Sequence, residues 1–459
     1  MAFRVIRKII SLILLSFSIF LAGCQPNIII TPPNPNPQTN SNPQIVEVYN
    51  LLEKYYYKNL PVDISKVNSV DELLSFVDRY TYTYTSTRSI DMGDRYVGLG
   101  ITIQNHDEGI IITDINKLTS SDEHVYVGDI ITHVNEQPLK TLSFDEKSVL
   151  LRGESGDEKR LKITRFTKSI DVTMHLFEVP FDSIEYKQIG HVGYIKIIRF
   201  ANNTGAHFLD ALTILENAGI TALLIDVRDN GGGYLDAALD VLKLFINDDG
   251  YFVYIKDVKQ NTLFGFENEK TIVEKTYPIH VLVNRNSASA SEVVAGTLKQ
   301  YGHQLIGEKT YGKDVYQSSY LLTKFPPGTY LSITRGYWLL KDQSSVEGGI
   351  EVDIEYPQAG VLNIGYPVIY KTFKKGDSHV LIESFQYLLS RSQPMVYEPG
   401  LFDDNLEAMV LAYQMANHLP QTKQLDEATQ IHLIDLYRTL IKQSDNDHQL
   451  NYAINYVGA

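Results

Sequence analysis

The spacing of apolar residues changes several times along the chain, and each change predicts a different kind of structure. Residues 44–91 have apolar positions at helical spacing, whereas residues 92–180 alternate apolar and polar positions as half-buried strands do. Residues 181–358 alternate short apolar runs with helical periods, which is typical of an α/β domain. After a linker at 359–374, residues 375–459 return to helical spacing. The pattern predicts a multidomain α+β protein: a β-rich domain, then an α/β core, then a small all-α domain.

The first 43 residues belong to none of these tracts. Two arginines and a lysine precede an apolar run of about 14 residues, Ile9–Ala22, which is shorter than the roughly 20 residues that span a bilayer. The run ends in Leu-Ala-Gly-Cys, like a bacterial lipobox, at the chain's only cysteine. Residues 1–24 are therefore predicted to be a lipoprotein signal peptide with Cys24 lipidated. Residues 25–43, rich in proline and asparagine, are predicted to be a hydrated linker. An ordinary signal peptide that happens to contain a cysteine is the alternative.

The composition of the chain excludes several classes of function and of site. The formal net charge is −14 and no cluster of Lys or Arg occurs beyond the first eight residues, so no surface for nucleic acid is expected. A single cysteine excludes disulfides and cysteine-based metal sites. The twelve histidines are scattered, and no His-Glu-x-x-His motif occurs, so we expect neither a metal nor a cofactor.

A serine and a lysine supply the candidate chemistry. Ser289 lies among small residues, where the predicted strand Ile279–Asn284 leads through a turn into a helix. Lys313 follows 24 residues later, with Gln317 four positions beyond it. A lysine with an ordinary pKa of about 10.4 is neutral in roughly one molecule in 2,500 at pH 7, but burial lowers that pKa by several units. A nearby amide can then orient the neutral amine as a base for the serine hydroxyl.

Two loops offer backbone N–H groups to an oxyanion beside this serine. The helix after Ser289 begins at Ala290, and the first N–H groups of a helix are unpaired and favour negative charge. The glycines at 231–233 also follow a predicted strand and open a helix. The N–H groups of this glycine loop are therefore expected to point into the same cleft.

Three motifs, in this order along the chain, resemble those of the carboxyl-terminal processing peptidases of family S41. They are Asp-Val-Arg-Asp-Asn-Gly-Gly-Gly from Asp226, Ser-Ala-Ser-Ala-Ser-Glu, and Gly-Glu-Lys-Thr-Tyr-Gly-Lys with a glutamine four residues on. The resemblance covers residue 44 to about 358 and implies a ClpP/crotonase-like serine protease core at 181–358. It implies the following roles: Ser289 as nucleophile, Lys313 as general base, Gln317 as the residue that positions the base, and Ala290 with Gly232 or Gly233 as oxyanion donors.

The chain departs from the family pattern at three points. Gly231 stands where the family usually has proline, and the spacing from Ser289 to Lys313 is one residue shorter than usual. Arg79 replaces a proline in a segment, 76–81, that resembles the one preceding the family's PDZ domain. None of these changes removes a reacting atom.

The flanking tracts resemble known modules. Residues 92–180 resemble a PDZ domain, whose loop Gly98-Leu99-Gly100-Ile101 would bind a peptide carboxylate while the adjacent strand edge pairs with the peptide. Residues 375–459 resemble the small helical peptidoglycan-binding domain, with His379 in place of a glycine. A PDZ-shaped spacer and a helical packing module are the alternatives. The segment 44–91 is expected to pack on the protease or to pair two subunits as a homodimer.

Other assignments compete with the Ser289–Lys313 pair. Ser287 and Ser291 are equally good nucleophiles by composition, since a serine-rich turn before a helix is often only a cap. A Ser/His/Asp triad built with His280 or His303 is a further possibility.

Competing classes of protein also exist. Residues 307–314 nearly match a phosphate-binding loop, but Asp314 stands where a Ser or Thr hydroxyl is needed. No Gly-x-Ser-x-Gly elbow or motif of paired catalytic carboxylates supports an esterase or a peptidoglycan hydrolase. A catalytically inactive envelope scaffold that binds peptides and cell wall is the remaining alternative.

The expected function is that of a serine endopeptidase outside the cytoplasm, anchored by lipid to the cell membrane. Its partners would be proteins or peptides captured by their C-terminal tails, and peptidoglycan.

Overall fold

A computed structural model describes residues 40–85, 95–106, 108–115, 124–142, 144–180, 183–267, 275–391 and 396–458. The predicted signal peptide, the lipidation site Cys24 and nearly all of the 25–43 linker lie outside the described residues. Within the described ranges, no helix combines the length and the apolar character needed to cross a membrane.

The elements of the described residues have the following bounds. The helices are α1 (Pro43–Tyr55), α2 (Val70–Leu74), α3 (Phe144–Leu150), α4 (Thr204–Asn217), α5 (Leu235–Leu242), α6 (Ala290–Gln300), α7 (Ile382–Ser390), α8 (Asp404–Ala416), α9 (Glu427–Leu440) and α10 (His448–Val457). The strands are β1 (Tyr82–Thr85), β2 (Arg95–Gly98), β3 (Ile101–His106), β4 (Gly109–Ile115), β5 (Ile130–Val134), β6 (Gln137–Pro138), β7 (Glu158–Arg165), β8 (Lys168–His175), β9 (Phe177–Pro180), β10 (Ile184–Ile189), β11 (Val192–Ile197), β12 (Ala222–Asp226), β13 (Tyr251–Asp257), β14 (Thr262–Glu267), β15 (Ile279–Val283), β16 (Gln304–Gly307), β17 (Val315–Leu321), β18 (Thr329–Leu340) and β19 (Ile354–Glu355).

The N-terminal segment packs on the protease core. Helix α1 begins at Pro43, where Asn42 caps it by accepting a hydrogen bond from an N–H of the first turn. Its apolar face, with Ile45, Val48 and Leu52, contacts buried residues of β18. The predicted helical segment does not extend to residue 91, because the alternating Tyr-Thr-Tyr-Thr of β1 forms a strand that pairs antiparallel with β18. Of the two roles expected for this segment, packing on the protease is the one observed in the single chain.

The β-rich domain contains a six-stranded sheet, in which β3-β4-β5-β7-β8 follow one another and the short β6 pairs with β5. Strands β2 and β9 pair with each other where the chain enters and leaves this domain. Strand β7 shows the alternating burial of a half-buried strand, with polar positions outward. Strand β3 is an edge of the sheet, so its outer backbone groups are available to a further strand.

The protease core consists of two sheets. The central sheet has the order β10-β11-β12-β15-β16-β19 and is parallel from β11 to β19. Strands β12 and β15 are buried at every position, as expected for parallel strands covered on both faces. Helices α4, α5 and α6 cover one face. The second sheet has the order β1-β18-β13-β14, with β17 also paired to β18. The predicted fold class, with an α/β core between a PDZ-like and an all-α domain, is confirmed.

The small C-terminal domain is built from α7, α8 and α9 around one apolar core. Asp403 and Asp426 cap α8 and α9. The stretch 359–374, predicted as a linker, lies against the PDZ-like domain: the N–H of Ile369 donates to the carbonyl of Val127 at 3.0 Å. Arg438 of α9 donates to the carbonyl of Val125 at 2.9 Å, so the helical domain and the PDZ-like domain are docked on each other.

The last helix, α10, packs on the central sheet and not in the core of the helical domain to which the sequence assigned it. Its Leu450 and Ala453 join a cluster with buried residues of β11, β12, β15 and β16. Arg228, at the end of β12, donates to Asp447 at the start of α10 at 2.8 and 2.9 Å. Amphipathic spacing shows that one face of a helix is buried, but not which partner buries it.

The Arg228–Asp447 pair gives a stability prediction. Asp447→Ala is expected to lower the free energy of unfolding of the protease core by about 1–3 kcal/mol, because it removes one of two carboxylates that pair with a buried guanidinium. Urea unfolding followed by the fluorescence of Trp338, the chain's single tryptophan, measures this change. The control is Asp445→Ala, which changes an exposed carboxylate two residues away. Equal unfolding midpoints for both variants would show that the pair does not hold α10.

Candidate active site

Three strands of the central sheet lead to one site. Loops after β12, β15 and β16 carry the predicted oxyanion glycines, the serine and the lysine, and the carboxyl ends of parallel strands lie at one edge of the sheet.

The serine turn distinguishes the three candidate nucleophiles. The Ser287 hydroxyl donates to the carbonyl of Val227 and the Ser291 hydroxyl to that of Asn230, both at 2.8 Å, and both serines are fully buried. Ser289 is only half-buried, and its backbone has φ of 57° and ψ of −117°, outside the favoured regions. The strained turn thus presents Ser289, while its two neighbours have structural hydrogen bonds.

The glycine loop lies directly against this turn. The Asn230 carbonyl accepts from the N–H of Ala288 at 3.0 Å, which joins the two loops. Gly232 has a φ of +104°, and a Cβ added there would lie 2.8 Å from the Ser289 Cβ and 2.8 Å from the Ala288 carbonyl oxygen. Only glycine fits this close approach.

The predicted oxyanion donors differ in availability. The Gly232 N–H donates to the side-chain oxygen of Asn230 at 2.8 Å and is occupied. In the described part of the chain, no acceptor takes the N–H of Gly233 or of Ala290. Ala290 is the first residue of α6, where an N–H has no partner within the helix. Gly233 and Ala290 are therefore the two donors free to bind an oxyanion in this conformation.

One buried carboxylate connects the serine and lysine loops. Glu292, in the first turn of α6, accepts the Ser289 N–H at 2.9 Å and the Lys313 N–H at 2.8 Å. It also accepts the Gly312 N–H at 2.7 Å and the Thr310 hydroxyl at 2.6 Å. Burial raises the pKa of Glu292, and these hydrogen bonds oppose that shift. The loop that resembles a phosphate-binding loop therefore encloses a carboxylate of its own chain.

Lys313 lies in an environment suited to a neutral amine. Burial lowers the pKa of Lys313; the charge of Asp78 opposes the shift, Arg79 adds to it, and Glu292 opposes it. Its Nζ lies 4.7 Å from the centroid of the Tyr80 ring. Across the described residues, no hydrogen bond joins this Nζ to the Ser289 hydroxyl, so the two groups are not bonded in this conformation.

Gln317 provides an unused donor. It follows an irregularity in the pairing of β17 with β18, of the kind that redirects a side chain. Its amide nitrogen is buried and has no hydrogen-bond partner in the described ranges. An amide N–H can donate to the lone pair of a neutral amine but not to an ammonium, which has no acceptor.

The histidine alternative fails on distance. His303 follows the C-terminal end of α6, whereas Ser289 precedes its first residue. Eleven helical residues at 1.5 Å each separate the two positions by about 16 Å. His280 donates to or accepts from Gln304 at 3.2 Å, near that same distant end. Neither histidine can reach the Ser289 hydroxyl.

The predicted carboxylate-binding loop of the PDZ-like domain precedes its edge strand. Gly98 ends β2, Leu99 points into the domain core, Gly100 has a φ of +72°, and Ile101 begins β3. A peptide added beside β3 would therefore meet this loop at one end.

Sequence reasoning missed several residues of the site. It treated 76–81 only as part of a packing segment, although Asp78, Arg79 and Tyr80 lie at Lys313. Glu292 ends the motif Ser-Ala-Ser-Ala-Ser-Glu, but no role was predicted for its carboxylate. A glutamate three residues after a serine at the start of a helix is the capping-box pattern, and this pattern could have identified Glu292 as a residue that binds the Ser289 N–H.

Comparisons with known proteins agree with this architecture. Residues 191–356 match the family model for peptidase family S41, and residues 97–176 match that for the PDZ domain. A probable CtpA-like serine protease of Staphylococcus aureus is 31% identical over 431 residues, covering 92% of this chain and 86% of the relative. A relative of the same description from Staphylococcus epidermidis is 26% identical over 430 residues, covering 92% and 87%.

Among solved structures, the photosystem II D1 C-terminal processing protease aligns with a TM-score of 0.47 and 20% identity, covering 68% of this chain and 92% of that one. Fold and site together define a serine-type peptidase with a PDZ domain. The chain belongs to peptidase family S41, and the Staphylococcus relatives that it resembles are described as probable CtpA-like serine proteases.

Proposed function

We propose that this peptidase cleaves proteins with a Ser289–Lys313 dyad and selects them by their C-terminal tails. The Ser289 hydroxyl attacks the scissile carbonyl while neutral Lys313 takes its proton. Lys313 then protonates the leaving amine, and water releases the acyl group from Ser289 by the reverse steps. The N–H groups of Ala290 and Gly233 stabilise the oxyanion, and Gln317 orients the amine.

The observation that supports the dyad best is the carboxylate of Glu292. It binds the backbone N–H of both Ser289 and Lys313, so the two loops move as one unit. A lysine base also requires a lowered pKa and a group that can orient the neutral amine. Burial lowers the pKa of Lys313, and the buried amide nitrogen of Gln317 has no hydrogen-bond partner in the described ranges.

The PDZ domain would supply substrate selection. Its edge strand β3 follows the loop 98–101, an arrangement suited to β-augmentation by an extended tail. Because Ser289 and Lys313 share no hydrogen bond here, we propose that binding of a tail favours the bonded, active arrangement.

We further propose that the enzyme works outside the cytoplasm, held to the cell membrane by lipid at Cys24, and that its helical domain binds peptidoglycan. The motifs at 1–24 and 375–459 support these two parts. Fractionation of cells into membrane and cytoplasm tests the location, and sedimentation of the chain with purified peptidoglycan tests the second part. Light scattering on the purified chain tests the expected homodimer.

The proposed dyad predicts a clear pattern of cleavage. The full-length chain in detergent is incubated with an unstructured protein that ends in an apolar tail. Wild type and Lys309→Ala are expected to cleave it, since Lys309 is a half-exposed lysine of the same loop paired with Glu351. Ser289→Ala and Lys313→Ala are expected to lose about 10³-fold or more in kcat/KM.

Each outcome of this experiment decides one part of the proposal. Cleavage by Ser289→Ala at the wild-type rate would exclude Ser289 as the nucleophile, and the same result for Lys313→Ala would exclude the lysine base. A second substrate, identical except for aspartates in its last residues, tests the tail. Equal rates on both substrates would exclude selection by the PDZ domain.

A further inference from the structure

A tight turn of the N-terminal segment is fixed beside the lysine loop. In this turn the Asp78 side chain accepts the Tyr80 N–H at 3.1 Å, and its carbonyl accepts the Thr81 N–H at 3.0 Å. The Thr334 hydroxyl of β18 donates to the Asp78 side chain at 3.0 Å. Thr334 is also the cross-strand partner of Gln317. The turn is thus anchored to the strand beside the predicted positioning residue.

The turn presents Arg79 and Tyr80 to Tyr311, two residues before Lys313. One guanidinium nitrogen of Arg79 donates to the Tyr80 hydroxyl at 2.8 Å and also to the Tyr311 hydroxyl. The guanidinium carbon lies 5.0 Å and 5.4 Å from the two ring centroids, in reach of cation–π attraction. We name these three residues, Arg79, Tyr80 and Tyr311, the clasp.

The clasp connects both reacting loops to the N-terminal segment. The N–H of Tyr311 donates to the carbonyl of Ser287 at 3.1 Å, two residues before Ser289. The Tyr80 ring lies 4.7 Å from the Lys313 Nζ. Within the described ranges, no oxygen acceptor binds this Nζ, which lies over the face of the Tyr80 ring. The clasp therefore covers the amine of Lys313 and contains no carboxylate that could pair with it.

We propose that the clasp holds Lys313 in place and shields it from water, which makes Arg79 and Tyr80 positioning residues of the S41 reaction. The inference rests on the proposed function, because it assumes Lys313 to be the base. Arg79 has a second effect through its charge, since a cation near a lysine disfavours the ammonium form.

The charged and titratable groups around Lys313 determine the sign of this effect. Asp78, Arg79 and Tyr80 act on it from the turn, and Glu292 acts on it from α6. Burial and the charge of Arg79 lower the pKa of Lys313, whereas Asp78 and Glu292 raise it. The base acts when neutral, so activity should rise as pH increases through the pKa of Lys313. Removing the Arg79 charge raises that pKa and moves the rise in activity to higher pH.

The test is the pH dependence of kcat/KM for the full-length chain on the unstructured substrate. Arg79→Ala is expected to move the midpoint of the rise upward by about half a pH unit, and Arg79→Glu by about one unit, because Arg79 is exposed and its charge is screened. The Arg79→Ala shift should shrink in 1 M salt. Arg79→Lys keeps the charge and should shift the midpoint less than Arg79→Ala, and Tyr80→Phe, which keeps the ring but loses the hydroxyl that binds Arg79, should shift it less than Tyr80→Ala. Tyr80→Ala should move the midpoint upward, because hydration stabilises the ammonium form of Lys313 more than the single cation–π contact that is lost with the ring.

The contrary result is an unchanged midpoint in both Arg79→Ala and Arg79→Glu, or a rate loss equal at every pH, which would show a merely structural role. Trp338 fluorescence reports whether each variant is folded. If Tyr80→Ala does not fold, the Arg79 series alone decides, since Arg79 is an exposed side chain. The Lys313→Ala variant distinguishes failure of the clasp proposal from failure of the proposed dyad. If Lys313→Ala is active, Lys313 is not the base and the proposed function is wrong. If it is inactive and the Arg79 variants show no shift, only the clasp proposal is wrong.

Discussion

Glu292→Ala is expected to abolish detectable proteolysis and to lower the free energy of unfolding by about 3–5 kcal/mol. The carboxylate accepts hydrogen bonds from three backbone N–H groups and one hydroxyl, and it is fully buried. Without it, these donors remain buried and unpaired, and the serine turn keeps weaker links to the lysine loop, such as the hydrogen bond from the Tyr311 N–H to the Ser287 carbonyl. A shift of about 1 Å between reacting groups is enough to reduce a rate by about 10²-fold.

Glu292→Gln is the more discriminating change because it has nearly the same shape. The amide oxygen still accepts, but the amide NH₂ would face N–H groups that also donate. We expect kcat/KM to fall by about 10²-fold or more while KM changes little. Glu347→Gln, which changes an exposed carboxylate on a neighbouring loop, is the control and should keep wild-type activity.

Peptide hydrolysis and urea unfolding followed by Trp338 fluorescence measure the two effects separately. Full activity in Glu292→Gln would show that the loops are positioned by other contacts. A loss of stability with no loss of kcat in the folded fraction would lead to the same conclusion.

Gly232→Ala is expected to reduce kcat by about 10²-fold or more. The added methyl group would lie 2.8 Å from both the Ser289 Cβ and the Ala288 carbonyl oxygen. The backbone there has a φ of +104°, which a side chain disfavours. The glycine loop must therefore move away from the serine, and the N–H of Gly233 moves with it.

Gly231→Ala is the matched control for this substitution. A Cβ at Gly231 would meet no atom within 4 Å, and Gly231 is not among the glycines with positive φ. We expect kcat within about twofold of wild type, since surface substitutions of this kind are usually close to neutral. Steady-state kinetics on the same substrate compares the two variants. Equal rates for both would exclude the loop 230–233 as a source of oxyanion donors.

The site depends on segments from both ends of the chain. The turn at Asp78–Thr81 reaches the lysine loop from the N-terminal side, and α10 reaches the end of β12 through Asp447 and Arg228. Arg228 lies two residues before the loop 230–233. Changes in either terminal segment can therefore alter catalysis without touching the substrate.

The sequence by itself determined the local parts of this protein. Periodicity predicted the α/β core, and the strand–turn–helix pattern placed Ser289 before the first turn of α6. The glycines at 231–233, which follow a predicted strand, indicated a loop near the serine, and Gly232 lies against the serine turn. These features depend on residues within a few positions of one another, so neighbouring side chains and backbone preferences are enough to specify them.

Only the tertiary structure decided which distant segments meet. Arg79 and Tyr311 are 232 residues apart, and no local pattern connects them. Periodicity predicted a buried face for α10 but assigned it to the helical domain, whereas the central sheet covers it. The choice of Gly233 over Gly232 as a free donor depends on where the Asn230 side chain points. In each case the path of the whole chain determines which residues meet. An apolar face can be buried by any apolar surface, and a polar group can bond to any suitable partner, so local sequence does not specify which one the fold brings close.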